Sequence, residues 1–417
     1  MSPLAAAWVR HATETPDAPA LVHPRARWTW ADLAARVAAT QSEPATHFVD
    51  AQDVPAFLVR LLAAERDGAC LVPLASGLDD DERERRLALP IAPFPGLVVF
   101  TSGTTGLARG VRLPFARLLA SARVVSEATD LQRGDAWLSA LPMSHVGGIA
   151  VALRCVLRGA AMLLDDRFEP HRSAQHLAQH ATHASFVARS LERTLEVGLP
   201  PSPSLKAVMV GGGPTTPALL SRCRALGVPA LATYGMTEAG STITLESPTG
   251  PHAPPSAGAP LPGVSLRIAG DDTIEVCTPS RMEGYLGEPS APATAWLRTR
   301  DLGRLLPDGR LVVLDRRSDL IVSGGENVSP WRVEQVIAED PSVVEVAVVG
   351  RADPSWGQRV VAVVRLVVES PEPAEILDAL TARCRDRLAA HERPKDWVIA
   401  AEPLPRDSAG KLRRRDI

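Results

Sequence analysis

The sequence predicts a layered α/β protein with a large N-terminal region, a small β subdomain and a compact α+β region at the end. Three observations predict it. Apolar, β-branched runs alternate with Ala/Leu/Arg-rich helical patterns through the first half. A Pro/Gly-rich connector, "PTGPHAPPSAGAPLPG" over 248–263, interrupts that rhythm. Beyond 319 the order becomes helix, strand, strand, helix over about a hundred residues, the size of a separate domain. At 417 residues and 45% apolar composition the chain can bury two or three such cores.

Each element has its own signal. "GLVVF" (96–100) is a continuous apolar run, as in a strand buried on both faces, and the pattern over 115–128 is that of a helix. "AAMLLDD" followed by 173–181, and "KAVMVGG" followed by 216–225, repeat the strand-then-helix order, which implies largely parallel strands. After the connector, "VSLRIAGDDTIEVCTP" alternates as antiparallel strands do. In the last region "VEQVIAED" and "AEILDALTARCRDRLAAH" read as helices, and "VVEVAVVG" and "RVVAVVRLVV" as strands.

Composition excludes several classes of function. A net charge of −3 provides no broad basic field for nucleic acid, so no nucleic-acid partner is expected. The five cysteines (Cys70, Cys155, Cys223, Cys277, Cys384) are scattered without CxxC or zinc spacing, which fits free thiols in a reducing, cytoplasmic compartment. The apolar run at the start is too short for a signal peptide, and the stretch 147–164 is broken by Arg154 and Arg158, so no membrane span is expected. Of the 45 basic residues only Lys206, Lys395 and Lys411 are lysines, so each lysine is an uncommon choice.

The densest chemical signal is "VVFTSGTTGLARGVRLP" (98–114), an apolar strand running into a loop of Gly, Ser and Thr that ends in Arg109. Backbone N–H groups in such a turn form an anion-binding nest, and the small hydroxyls add donors without bulk, so phosphate is the natural ligand. It is not a Walker loop, because GxxxxGK[ST] is absent.

Seven stretches then occur in one order: "FTSGTTGLARG", "LPMSHVGG", "GGGP", "YGMTE", "RTRDLG", "LDRRSDLIVSGGENVSP" and "PRDSAGKLRR". On these the chain resembles the adenylate-forming superfamily of acyl-CoA synthetases, luciferases and nonribosomal-peptide adenylation domains. The resemblance implies the adenylate-forming fold, with a large AMP-binding domain at 1–317, its β subdomain at about 256–317, and a small mobile C-terminal domain at 318–417 carrying a catalytic lysine. It implies that Thr101, Ser102, Gly103, Thr104, Thr105 and Gly106 hold ATP phosphates. Arg109 stands where the family usually has lysine, keeping the charge in a different geometry.

The same resemblance assigns the remaining roles. Tyr234 would face adenine, Thr237 would reach the α-phosphate, and Glu238 would meet Mg²⁺, which takes few protein carboxylates beside substrate phosphates. Gly211, Gly212, Gly213 and Gly235 would let the purine or acyl group lie against the backbone. Asp301 would accept from the ribose hydroxyls, with Arg316 beside it. Ser318 and Asp319 jointly form the hinge, and Gly324 and Gly325 approach the pantetheine of CoA. Lys411 would stabilise charge as a carboxylate attacks the α-phosphate.

By the same resemblance His145 would fall at the family's junction of acyl pocket and CoA channel, and Arg154 lies nine residues later in an otherwise apolar helical run. A buried arginine needs an anion, so an acidic partner or an acidic substrate is implied. These features, with "GGGPTTPALL" and the short chain, resemble the o-succinylbenzoate:CoA ligase branch of menaquinone biosynthesis. That branch implies ATP with Mg²⁺, CoA and a substrate of two carboxylates, one adenylated and the aromatic one paired with Arg154. Another aryl or aliphatic acid, and a non-catalytic nucleotide-binding relative, are the alternatives, and a homo-oligomer is left open.

Overall fold

The computed structural model describes residues 2–101, 108–198, 202–213, 215–247, 256–367, 372–406 and 412–417. The chain forms two compact units. One comprises Met1–Arg267, Glu275–Leu297 and Leu306–Leu311; the other comprises Ile268–Ile274, Arg298–Leu305 and Val312–Ile417.

The first unit is built on two sheets. Six strands of the larger one run parallel: Pro19–His23, Ala161–Leu164, Ala136–Ser139, His183–Val187, Ala207–Gly211 and Ala230–Met236, in that spatial order. Antiparallel strands close its edges, Ala26–Thr29 at one end, and Ser241–Leu245 followed by Ala259–Pro260 at the other. The expected alternation is therefore present, and its parallel strands read as apolar runs because helices cover them. Leu138, Leu163, Phe186, Val208 and Val210 from the strands pack with Leu177, Leu191, Leu195 and Leu219 from the helices. Each such side chain contributes about 1.5–3 kcal/mol on burial.

Several helices start on a short polar cap with proline just inside: Ser2 before Pro3–Glu14, Asp53 before Val54–Asp67, and Thr216 before Pro217–Ala225. The cap oxygen accepts an otherwise orphaned N–H, and proline fixes φ where no N–H is needed.

The second sheet corrects one expectation. The strand Gly96–Thr101 does not lead straight to a helix; the chain turns back as an antiparallel strand, Arg109–Pro114, before the helix Phe115–Ala128 begins. The strands on either side of the hydroxyl-rich segment pair with each other, and Arg109 is the first residue of the returning strand. "RGVRLP" places Val111 and Leu113 in the core on alternate positions, the period of a strand.

In the second unit a hairpin of Val343–Asp353 with Gly357–Leu366 is flanked by Ile321–Ser323 and by Asp396–Ile399, and the helices Pro330–Ala338 and Pro373–Arg387 share its core. All five cysteines are free thiols. Among the described residues no helix is long and apolar enough to cross a membrane.

Candidate active site

Arg154 lies in the helix Val146–Arg158, which also buries Val146, Ile149, Val151, Leu153 and Val156. Only 2% of Arg154 is exposed. Its guanidinium reaches the strand Ala207–Gly211, where Nη1 lies 3.9 Å from Met209 Sδ, and the strand Ser241–Leu245, where Nη2 donates to Thr242 Oγ1 at 3.3 Å. The Trp137 ring lies 5.2 Å away, itself fixed by an Nε1 bond to Ser185 Oγ. Nε is buried without an acceptor among the described residues. Burial pulls the pKa down to about 10, with no carboxylate opposing it. The residue therefore stays cationic at neutral pH with a hydroxyl, a thioether and an aromatic face for company. Of the two implied counter-charges, an acidic protein partner is absent among the described residues. His145 caps the start of this helix, half-buried, with its N–H donated to Pro142 O at 3.1 Å.

A second cluster surrounds Glu238. Tyr234, Gly235 and Met236 end the strand Ala230–Met236, where Tyr234 pairs with Thr244 of the antiparallel strand Ser241–Leu245. Gly235 is required there, because a Cβ would lie 2.1 Å from Ser241 O. Thr237 and Glu238 open a single 3-10 turn, Thr237–Ala239. Tyr285 OH donates to Glu238 Oε1 at 2.9 Å. The other side of the same phenol carries Arg109, whose Cζ is 3.4 Å from the ring centroid, and Arg109 Nη2 meets Glu288 Oε1 at 2.6 Å. Among the described residues no group of three or more His, Cys, Asp or Glu could cage a metal ion. One half-buried carboxylate, Glu238, fits Mg²⁺ that arrives with phosphate oxygens of its own. Gly211 ends the strand Ala207–Gly211, Gly212 and Gly213 follow it, and Thr101 ends Gly96–Thr101. Ser102, Gly103, Thr104, Thr105, Gly106 and Lys411 lie outside the described residues.

The remaining candidates belong to the second unit. Asp301, in Leu297–Leu305, accepts from Arg316 Nε at 3.3 Å, and Arg316 ends the neighbouring strand Leu311–Arg316. Thr299 Oγ1 braces Asp301 by accepting its N–H. Ser318 donates to Asp319 Oδ1 at 2.9 Å, and Asp319 N–H donates to Arg316 O at 2.8 Å, which makes 316–319 a tight, largely exposed turn. Gly324 and Gly325 form a two-residue hairpin loop with φ of 63° and 85°. Two successive positive φ values favour glycine at both. Beside Gly324 stands Trp356, 44% exposed, with Lys395 Nζ 5.2 Å from its ring.

Three participants escape sequence reasoning. Thr242 and Trp137 surround Arg154 from strands far apart in the chain, and Tyr285 sits in no recognised motif. Ser241, two residues after the 3-10 turn, holds φ at 101°, a strained value for a residue with a Cβ. The only advance signal is compositional: Tyr234 and Tyr285 are the chain's two tyrosines.

Comparison with known proteins places these clusters in context. A family model described as AMP-binding enzyme matches residues 95–287, and one described as AMP-binding enzyme C-terminal domain matches 332–411. The 2-succinylbenzoate–CoA ligase of Bacillus mycoides (strain KBAB4) is 38% identical over 340 residues, covering 77% of this chain and 69% of that protein. The o-succinylbenzoate CoA synthetase (MenE) of Bacillus subtilis in complex with the acyl-adenylate intermediate OSB-AMP superposes with a TM-score of 0.85 at 28% identity, covering 98% of this chain and 97% of that one. The same synthetase with ATP and magnesium ion gives 0.84, again at 28% identity and with 98% of each chain covered.

Proposed function

Because the chain belongs to the AMP-binding enzyme family, we propose that it converts o-succinylbenzoate, ATP and CoA to o-succinylbenzoyl-CoA, AMP and pyrophosphate, as a step of menaquinone biosynthesis. The observation that carries the substrate is Arg154, a buried cation with no carboxylate beside it among the described residues. The aromatic carboxylate of the substrate pairs with Arg154 while the succinyl carboxylate reacts. That division of labour needs an acid with two anionic ends.

In the first half-reaction a carboxylate oxygen attacks the α-phosphorus, the bond to the bridging oxygen breaks, and pyrophosphate leaves. Mg²⁺, entering with ATP, screens the phosphate charge. Tyr234 presents its ring to adenine, Thr237 its hydroxyl to the α-phosphate, and Glu238 its carboxylate to the metal side. Arg109 and residues 101–106 hold the phosphates, Asp301 and Arg316 hold the ribose, and Lys411 stabilises the charge that builds during attack. In the second half-reaction the CoA sulfur attacks the acyl carbon, AMP leaves and the thiol proton is released. His145 borders that path, and Gly324 and Gly325 admit the pantetheine arm. Ser318 and Asp319 are the point about which the C-terminal domain, from 318 onward, turns between the two steps. The free thiols support a cytoplasmic setting.

The test is CoA-thioester formation with o-succinylbenzoate beside benzoate, succinate and a fatty acid, with ATP–pyrophosphate exchange measured in parallel. Preference for o-succinylbenzoate is expected. Preference for a monocarboxylate removes the role of Arg154, and absence of exchange with every acid makes the protein a non-catalytic relative.

A further inference from the structure

The geometry around residue 285 points to a positioning role: we propose that Tyr285 fixes, with one phenol, both the arginine that ends the phosphate loop and the carboxylate on the metal side. The inference rests on the roles proposed above for Arg109 and Glu238.

The phenol is held by the backbone on both of its flanks. The short strand Gly284–Tyr285 pairs antiparallel with Arg109–Pro114, setting Tyr285 opposite Val111. Leu286 N–H donates to Gly110 O at 2.8 Å and Glu283 N–H to Arg112 O at 2.9 Å. Met282 N–H donates to Glu238 O at 2.7 Å, tying the same segment to the 3-10 turn. The chain from 282 to 286 thus bridges the hairpin that carries the phosphate loop and the turn that carries Glu238, and Tyr285 projects from its middle.

Each contact does a different job. The hydroxyl donates to Glu238 Oε1, which sets the carboxylate's rotation without cancelling its charge, as a lysine or arginine in that place would. The Arg109 guanidinium carbon lies over the face of the ring, 3.4 Å from its centroid. A planar guanidinium stacks on an aromatic face in a way an ammonium does not, so Tyr285 suits arginine at this position. Glu288 holds Arg109 Nη2 from the other direction, an exposed contact that phosphate oxygens can replace.

The experiment uses the full-length protein, with ATP as the probe, in wild type, Y285F, Y285L, E238Q and R109A. ATP binding is read by calorimetry in EDTA and with Mg²⁺, and adenylate formation is titrated with Mg²⁺. Y285F lacks only the hydroxyl. Its ATP affinity in EDTA is expected to stay within about twofold of wild type, while half-maximal adenylation needs about tenfold more Mg²⁺, the loss of one hydrogen bond to a charged group. Y285L also lacks the ring, and its affinity for ATP in EDTA is expected to fall alongside that of R109A. If E238Q and R109A show these defects while both Tyr285 variants bind as wild type, the proposal is overturned and the site assignment stands. If E238Q and R109A also bind as wild type, the assignment falls and the proposal with it. Equal weakening by Y285F with and without Mg²⁺ also overturns it, because a packing defect does not distinguish the metal side.

Discussion

At position 154 the proposed reading sets two energies against each other: desolvation of a guanidinium, and the charge-assisted bonds an incoming carboxylate would make with it. Arg154→Ala is expected to lower kcat/KM for o-succinylbenzoate by about 10- to 100-fold, the range of a hydrogen bond to a charged group. Benzoate and succinate, assayed beside it, should change far less. Arg154→Met keeps the volume and removes the cation; with no buried partner left behind, its unfolding midpoint in urea should equal or exceed that of wild type. Arg109→Lys should remain active with a modest rise in KM for ATP, since charge survives and stacking on Tyr285 does not, whereas Arg109→Ala should raise that KM about tenfold. Arg154 was legible in the sequence because an arginine inside an apolar helical run, a turn before Arg158 at its end, stands out against its neighbours. Tyr285 was not, because its importance comes from two partners 176 and 47 positions away in the chain, Arg109 and Glu238, that only the fold brings to its ring.

Among the secondary elements, long ones announce themselves and short ones do not. The parallel strands of the first unit are apolar on both faces, a property of the local sequence, and so they could be read directly. Gly284–Tyr285 is a strand only because Arg109–Pro114 offers it an edge, and Ile321–Ser323 exists through its pairing with Glu326–Val328 across a glycine turn. The C-terminal turn Arg414–Asp416 depends on a tertiary contact as well. Arg414 grips Glu334 of the helix Pro330–Ala338 with both terminal nitrogens, and also donates to Val348 O at 3.0 Å. Arg413 N–H donates to Pro405 O, and Arg406 bridges to Leu412, so the chain is fastened on either side of residues 407–411. Glu334→Ala should cost about 3 kcal/mol in a denaturant titration, the low end for breaking a buried pair because Arg414 keeps some exposure. The double variant Glu334→Ala/Arg414→Met should recover part of that loss, since it leaves no buried charge alone.

For the whole molecule the proposed reaction sets two chemistries on one chain, and their separation can be measured. Lys411→Ala should slow ATP-dependent adenylate formation by about 10²–10³, the loss of one preorganised charge-stabilising donor, while supplied o-succinylbenzoyl-AMP and CoA still give thioester in a single turnover. Ser318→Pro, which restricts φ in the turn at 316–319, should hinder passage from one step to the next more than adenylation itself. The composition of the two units was less legible than their existence: Asp301 and Arg316 group with the C-terminal part of the chain because strand neighbours, not sequence neighbours, decide compactness. The buried cation at 154 also bears on how long the protein survives. On the proposed pairing with Arg154, o-succinylbenzoate binds the folded state more tightly than benzoate or succinate, so at equal concentration it should raise the melting temperature more. At a hundred times Kd any ligand specific for the folded state adds about 2.7 kcal/mol. On the same pairing, a protease challenge should leave more intact protein with o-succinylbenzoate present than with benzoate at equal concentration, because fewer molecules open while the acid is bound.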